Sequence, residues 1–377
     1  MSLLSGRRPQ VDVAAVRSAL AVVEDPELRL PLDEAGMLGG IEAGRDGSVR
    51  VTVRLTTPSC PLKDTLARDV TAAVGAVAGV GRVDVAFAAM SEPDRMALAS
   101  RLRGSRGSGH PFGPGSTTAV YAVASGKGGV GKSTVTANLA VALARQGKRV
   151  GVLDADVWGY SMPHLFGVRR APVALKGLML PVDAHGVALM SVGFFVDDEE
   201  PVVWRGPMLH KAMEQFLGDV HWGDLDVLLL DLPPGTGDVT ISLLELVPDA
   251  QLIAVTTPQP AARTVAERVG RMALNARMPI AGVVENMSAL VCGSCQESTA
   301  LFGSGGGEEL AAAVGAPLLG QVPLDVALRE SGDAGVPAVL AAPGSPGARA
   351  LSRVAADLPV VRRSLVGRPL PLSVVGG

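Results

Sequence analysis

The sequence predicts a two-part chain of the α/β class: a mostly parallel sheet flanked by helices, preceded by a small α+β domain. Three observations predict it. From residue 118 onward, short and wholly apolar runs alternate with helical stretches, as parallel strands covered on both faces should. Ahead of residue 103 the pattern changes to strand-like alternation between helices of ordinary amphipathic period. Between the two lies RGSRGSGHPFGPGST, residues 103–117, rich in Gly, Ser and Pro and with almost nothing to bury. It reads as a flexible linker between separable domains.

The small domain takes residues 1–102. VDVAAVRSALAVV is helical in period, DPEL turns the chain, and VRVTVRLT alternates as a strand. LKDTLARDVTAAVGAV is a second helix and GRVDVAFA a further strand. The second domain, 118–358, opens with TAVYAVAS, apolar throughout. TVTANLAVALARQG is a helix, with Gly147 near its end. KRVGVLDAD, DVLLLDLPP, QLIAVTTP and AGVVENM are four more buried strands. Residues 359–377 read as an irregular tail, and no internal repeat is visible.

Composition narrows the function. With 47% hydrophobic residues but only 3% aromatics, the core must be filled by Ala, Val, Leu and Gly. A net charge of −3 argues against nucleic acid as a partner. The N-terminus lacks a signal-peptide core, and no apolar run approaches the length of a membrane span, so no membrane partner is expected. Three cysteines make no disulfide framework, and a reducing cytoplasm is the expected compartment. There, the C-x-x-C of Cys292 and Cys295 suggests metal or redox chemistry.

GKGGVGKST, residues 126–134, matches G-x-x-x-x-G-K-[ST] and sits between a buried strand and a helix, as a P-loop must. Gly126, Gly128, Gly129 and Gly131, with Val130 between, let successive backbone N–H groups face a triphosphate. The helix N-terminus adds its positive dipole end. Lys132 is placed to reach the β/γ-phosphates and the Ser133 hydroxyl to ligate Mg²⁺, with Thr134 completing the motif. Two carboxylate stretches follow. DADVWGY carries Asp154 and Asp156 at a strand end, and DLPPGTGD carries Asp231 after VLLL. Asp231 suits a second Mg²⁺ contact. Each Asp is equally the residue type that turns or caps a strand end.

Lys127, directly after the first glycine, makes the loop similar to the deviant P-loop of the MinD/ParA/NifH-type ATPases. That resemblance implies that Lys127 reaches across an ATP-bound dimer to the partner's nucleotide; a solvated loop lysine is the alternative. It also implies that Asp156 orients the attacking water and Asp231 holds the Mg²⁺ shell. Within that group, VCGSC, ALFGSGGGEELA, LLGQVPLDVALRESGDAG and TTPQPAARTVAERVG resemble the Mrp/ApbC iron–sulfur cluster carriers over residues 118–358. EDPEL and TTPSCPL resemble the MIP18-like domain that such proteins often carry in front. Gly293 and Ser294 replace the family's more usual pair inside the C-x-x-C, and VWGYSMP replaces a more usual IYGPSIP.

The resemblance implies an ATPase, a homodimer, and a cluster passed on to apo iron–sulfur proteins, with scaffold proteins as further partners; with no in-cis arginine finger evident in the sequence, the ATPase is expected to be slow without a partner. It places Asn286 at the adenine. Two thiolates per chain are half of what a [4Fe–4S] cluster takes, so Cys292 and Cys295 of two subunits would share one. A shared Zn²⁺, a redox dithiol and inert thiols remain alternatives for the pair. Cys60 is either a helper in cluster handling or a half-buried structural thiol. Asp25 and Glu27 read as cap and turn, and Met278 and Met287 as core fillers. The competing readings of the whole chain are a positioning ATPase of the MinD/ParA kind and a Zn-bridged regulatory dimer.

Overall fold

The computed structural model describes residues 11–57, 60, 62–104, 110–196, 206–292, 295 and 297–359. In the small domain, helix α1 (Val13–Leu20) is followed by a two-residue ladder of β1 (Glu24–Asp25) with β2 (Leu30–Pro31). Then come β3 (Leu38–Ala43), β4 (Ser48–Leu55), α2 (Lys63–Gly75), β5 (Arg82–Ala89) and α3 (Glu92–Gly104). Asp12 caps α1 by accepting from the Ala14 N–H at 2.8 Å. Strand β4 lies centrally, antiparallel to β3 and parallel to β5. Its alternate residues Val49, Val51, Val53 and Leu55 turn inward, where Leu66, Val70 and Val74 of α2 share their cluster.

The second domain runs β6 (Ala119–Ser125), α4 (Lys132–Arg145), β7 (Val150–Asp154), α5 (Met162–Leu165), and a hairpin of β8 (Val173–Leu175) with β9 (Leu178–Leu180). It continues with β10 (Val182–Ala184), β11 (Val187–Ser191), α6 (Gly206–Gly218), β12 (Val227–Asp231), α7 (Asp238–Leu246), β13 (Gln251–Thr256) and α8 (Pro260–Asn275). Last come β14 (Ile280–Val291), β15 (Ser298–Thr299), α9 (Gly306–Val314), β16 (Leu318–Leu324), α10 (Val326–Asp333), α11 (Ala338–Ala341) and α12 (Pro346–Asp357). One sheet joins β10-β11-β7-β12-β6-β13-β14-β15, with β16 also on β14. All its pairings are parallel except β10–β11 and β14–β15. Helices cover both faces and close two apolar cores. The carboxyl ends of β6, β7 and β12 therefore meet at one edge, where open α/β sheets bind ligands.

Two expectations need correction. The segment 103–117 is not bare linker: α3 continues through Gly104, and from His110 the chain packs onto the second domain. Phe112, only 2% exposed, meets Trp222 edge-on with centroids 6.2 Å apart. The one aromatic in a Gly/Ser/Pro stretch found an apolar slot. Residues 105–109 lie outside the described residues, as does the expected tail beyond Pro359.

The domains also share a core. Leu175, Leu178 and Leu180 of the β8–β9 hairpin are buried in the small domain's cluster with Leu28, Leu98 and Leu102. Each such burial is worth roughly 1.5–3 kcal/mol. Polar contacts frame it. Arg170 donates to Glu27 Oε1 at 2.5 Å, and Arg29 donates to the Gly186 carbonyl at 3.1 Å. Asp25 is the turn residue expected, accepting from Glu27 N–H and Leu28 N–H. Glu27 is not a turn residue alone, since its carboxylate crosses to the other domain. Burial pushes the Glu27 carboxyl up, and Arg170 draws it partway back.

Leu178→Ala should therefore destabilise both domains at once, by about 2–5 kcal/mol. Urea unfolding followed by probes in each domain should show one shared transition moving to lower urea. Two separate transitions, with only the later part of the chain affected, would show that the cores are independent.

Candidate functional site

Every residue of β6 is buried, and the strand ends at Ser125. The glycine loop that follows is shaped by close approaches. Gly129 and Gly131 have φ of +80° and +81°, conformations that side chains resist. A Cβ on Gly131 would lie 2.2 Å from Asn286 Nδ2, and one on Gly126 would lie 2.3 Å from the backbone nitrogen of Ala266. Helix α4 starts at Lys132 with Gly131 as its cap, so no side chain satisfies the first N–H groups. They are left for an anion. A cleft of about 490 Å³ lies over this loop, lined by residues 127–134 with Asp156, Trp158 and Pro233. A larger cavity, about 680 Å³, lies between residues 160–171 and 333–335 and holds none of the expected site residues.

Beneath the loop, four side chains converge. Lys132 Nζ is 2.6 Å from Asp231 Oδ2, and Ser133 Oγ donates to the same oxygen at 2.6 Å. Thr136 Oγ1 donates to Asp231 Oδ1 at 2.8 Å. Lys132 and Thr136 share a helix face because they are four apart. Asp231 is fully buried and Lys132 nearly so. Hydroxyl and carboxylate oxygens form a hard donor set, and the lysine ammonium already stands there as a cation. Ser133 and Asp231 thus fit Mg²⁺.

Asp154 stands opposite Asp231 in the parallel register of β7 and β12. Its carboxylate accepts from Ser191 Oγ at 2.9 Å and from the backbone N–H of Met162 and of Asp156, each at 3.2 Å. Burial first, then the charge of Asp231, pushes the Asp154 carboxyl up to about 7. Asp156 is raised as well, by burial first, with Lys132 opposing. It accepts from the Gly159 N–H at 3.0 Å and also lines the cleft, so it is both a turn residue and a group facing the glycine loop.

The structure brings Gly128, Gly129, Val130, Gly131, Lys132, Ser133, Thr134, Lys127 and Asp156 to one cleft, with Asp231 directly below Lys132. Asn286 adjoins it. Its Nδ2 donates to the Val130 carbonyl at 2.8 Å, and it lines a second cleft with Thr134, Pro323, Asp325 and Arg329. Sequence reasoning missed Thr136, whose spacing from Lys132 was the available signal. It also missed Trp158, 69% exposed at the cleft, and the wall formed by Pro323 and Asp325.

The thiol pair stands elsewhere. Strand β14 does not end with AGVVENM. Met287 adopts φ +55°, the register with β16 shifts between Asn286 and Leu290, and the strand runs on to Val291. Met287 is thus a bulge residue, half-buried beside Asn286, rather than a core filler. Beyond the bulge, β14 pairs with β15, and the Cys292 N–H donates to the Glu297 carbonyl at 2.9 Å. Cys292 and Cys295 are both exposed at this tip, while Gly293 and Ser294 lie outside the described residues. Among the described residues no group of three or more His, Cys, Asp and Glu forms a metal-ligand set. Cys60 belongs to the small domain's core, and burial pushes its thiol up. No helix among the described residues is long and apolar enough to cross a membrane.

Residues 116–359 match the ParA family, described as NUBPL iron-transfer P-loop NTPase. Residues 13–85 match a family described as iron-sulfur cluster assembly protein. A Mycobacterium tuberculosis protein named iron-sulfur cluster carrier protein is 52% identical, over 98% of this chain and 99% of its own length. A Deinococcus radiodurans protein of the same name is 45% identical, over 91% of this chain and 94% of its own. Among solved structures, a nucleotide-binding protein from Archaeoglobus fulgidus in complex with ADP superposes with a TM-score of 0.51 at 40% identity. That match covers 57% of this chain and 86% of the other.

Gly131→Ala tests the loop directly. The added methyl is strained by about 1–2 kcal/mol in the left-handed region and strikes the Asn286 amide. Nucleotide affinity, read by titration of Trp158 fluorescence, should fall about tenfold or more. Unchanged affinity would mean that this loop does not seat the phosphates.

Proposed function

The chain belongs to the ParA family of NUBPL iron-transfer P-loop NTPases, and from that premise we propose that it is an ATP-driven carrier of iron–sulfur clusters. The observation that carries the reading is the presence in one fold of two chemically unlike sites. One is a hard-oxygen and lysine site under a glycine loop; the other is an exposed pair of soft thiols at the tip of β14.

At the first site, backbone N–H groups of residues 126–134 hold the phosphates of ATP, and Lys132 leaves Asp231 to meet them. Ser133 and Asp231 would hold Mg²⁺, which would supply neutralising positive charge beside the phosphates. Asp156, at the mouth of the cleft, orients the attacking water. Asn286 meets the base. Lys127, half-exposed in the loop, reaches the nucleotide of a second subunit, so hydrolysis depends on dimerisation. Among the described residues no arginine lines the cleft to stabilise the transition state, which fits a solitary chain that is slow.

At the second site the cluster is cargo. Cys292 and Cys295 supply two thiolates, and a two-fold axis supplies two more, the number a [4Fe–4S] cluster takes. The cysteines hold and release the cluster to apoproteins in a reducing cytoplasm, and break no bond of substrate. The small domain, docked through the β8–β9 hairpin, travels with the ATPase unit.

Lys132→Ala should lower hydrolysis by about 10²-fold or more, because it removes a charge aimed at the transferring phosphoryl group. It should also cost stability, since breaking a buried pair typically costs about 3–5 kcal/mol. Phosphate release measured on folded variant decides this; turnover at the wild-type rate would remove Lys132 from the mechanism.

Cys292→Ser or Cys295→Ser should each bring iron to near zero after anaerobic reconstitution, leaving ATP binding intact. Serine offers a hard, weakly acidic oxygen where the cluster takes thiolate. Cys60→Ser, in the other domain's core, should keep its iron. Zinc bound at one ion per dimer with no iron uptake would instead make the pair a zinc bridge.

A further inference from the structure

Glu285 is a charged side chain only 1% exposed. It occupies β14 between the apolar residues of the sheet and Asn286. Successive residues of a strand face opposite ways. Val284 and Asn286 face α4 and the glycine loop, whereas Val283 and Glu285 face α8 and α9. The Glu285 carboxylate there joins three elements. Oε2 accepts from the Gly307 N–H in the first turn of α9 at 2.5 Å, and Oε1 accepts from Gln321 Nε2 on β16 at 3.0 Å.

The helix end is built around this contact. Gly305 caps α9 in a left-handed conformation and brings no side-chain hydrogen bond. The cap comes instead from Glu285, a negative charge at a helix N-terminus, where the dipole favours it. A Cβ on Gly307 would lie 2.6 Å from Glu285 Cβ, and one on Gly306 would lie 2.6 Å from the Pro258 carbonyl oxygen. Only glycines allow α9 to come this close to the sheet.

The chain between β14 and α9, residues 292–305, carries both exposed cysteines. We propose that Glu285 is a positioning residue for the thiol hairpin: by fastening the first turn of α9 to β14 and β16, it fixes the far root of the segment that presents Cys292 and Cys295. Among the described residues, Glu285 lines neither of the clefts beside the glycine loop. It acts through the backbone. A loop closed over a fixed root loses less freedom when its thiols are brought to one cargo. The role in cargo binding rests on the reading of the pair as a cluster site; the ordering of the hairpin does not.

The test is hydrogen exchange on the full chain without iron, followed by cluster retention. In Glu285→Ala the amides of Gly307 and of Cys292, which is bonded to Glu297, should both exchange about tenfold faster, the factor one hydrogen bond to a charged group commands. Nucleotide affinity should stay within about twofold, because Asn286 and the loop are untouched. Glu285→Gln keeps an oxygen for Gly307 and, with the Gln321 amide turned over, keeps both bonds. It should restore slow exchange at both amides. If Glu285→Ala does not fold, wild-type exchange in mild urea decides: the two amides should become exposed in a single opening. Fast exchange at Gly307 with unchanged exchange at Cys292, in either experiment, overturns the proposal. After reconstitution, Glu285→Ala should lose iron to a chelator about tenfold faster than wild type. Equal loss from a variant with a loosened hairpin also overturns it. Wild type that takes up no iron, while the exchange results hold, overturns the cluster reading and leaves Glu285 as the anchor of the hairpin.

Discussion

The ion pair of Lys132 with Asp231 is the constraint around which this structure is arranged. Two opposite charges in a dry interior are tolerated only with close geometry and further hydrogen bonds. The fold provides both: β12 ends in Asp231, α4 begins with Lys132, and Ser133 and Thr136 saturate the carboxylate. The first turn of α4 is therefore locked in place over the sheet. The glycine loop must bridge from β6 to that fixed point, and its left-handed residues follow from the shortness of the bridge. Asp154 adds a second carboxyl in the next strand, and the nearness of Asp231 contributes to its raised pKa. The floor of the cleft is held by charge, with a buried lysine ammonium standing between the glycine loop and the carboxylate of Asp231.

The parts legible in the sequence are those with short-range causes. TAVYAVAS and VLLLD are apolar throughout because helices cover both faces of their sheet, and each is a buried strand. GKGGVGKST declares its loop because few other spacings satisfy the same steric demands. Asp156 and Asp231 stood out at strand ends and Asn286 through the family resemblance, and all three lie at the loop. What was not legible depends on distant partners. LGGIEA, with two glycines and weak alternation, becomes β3 only because β4 lies beside it. Phe112 was overlooked in a polar stretch because its slot against Trp222 is formed by residues more than a hundred positions away. Glu27 looked like a turn residue because Arg170 cannot be paired with it by pattern. The extension of β14 past Met287 was hidden by a bulge, which interrupts the alternation that marks a strand.

Strand β14 deserves its central place for what its side chains do in sequence. Within a few residues it contacts the glycine loop through Asn286, the first turn of α9 through Glu285, and the thiol hairpin through its pairing with β15. The glycine loop and the thiol hairpin hang from one piece of backbone. The bulge at Met287 lies between them, so the strand is locally irregular between the residue that meets the glycine loop and the hairpin that carries the thiols.

The β8–β9 hairpin has a consequence for how the protein is born. The small domain is made first, yet three leucines of its core belong to residues 175–180, far down the chain. During synthesis its apolar face must wait, uncovered, until the ribosome has also released the glycine loop, α4 and β7. At about 5–20 residues per second that interval lasts several seconds or more. Order of manufacture and order of completion are uncoupled here, and the small domain is finished by the one that follows it.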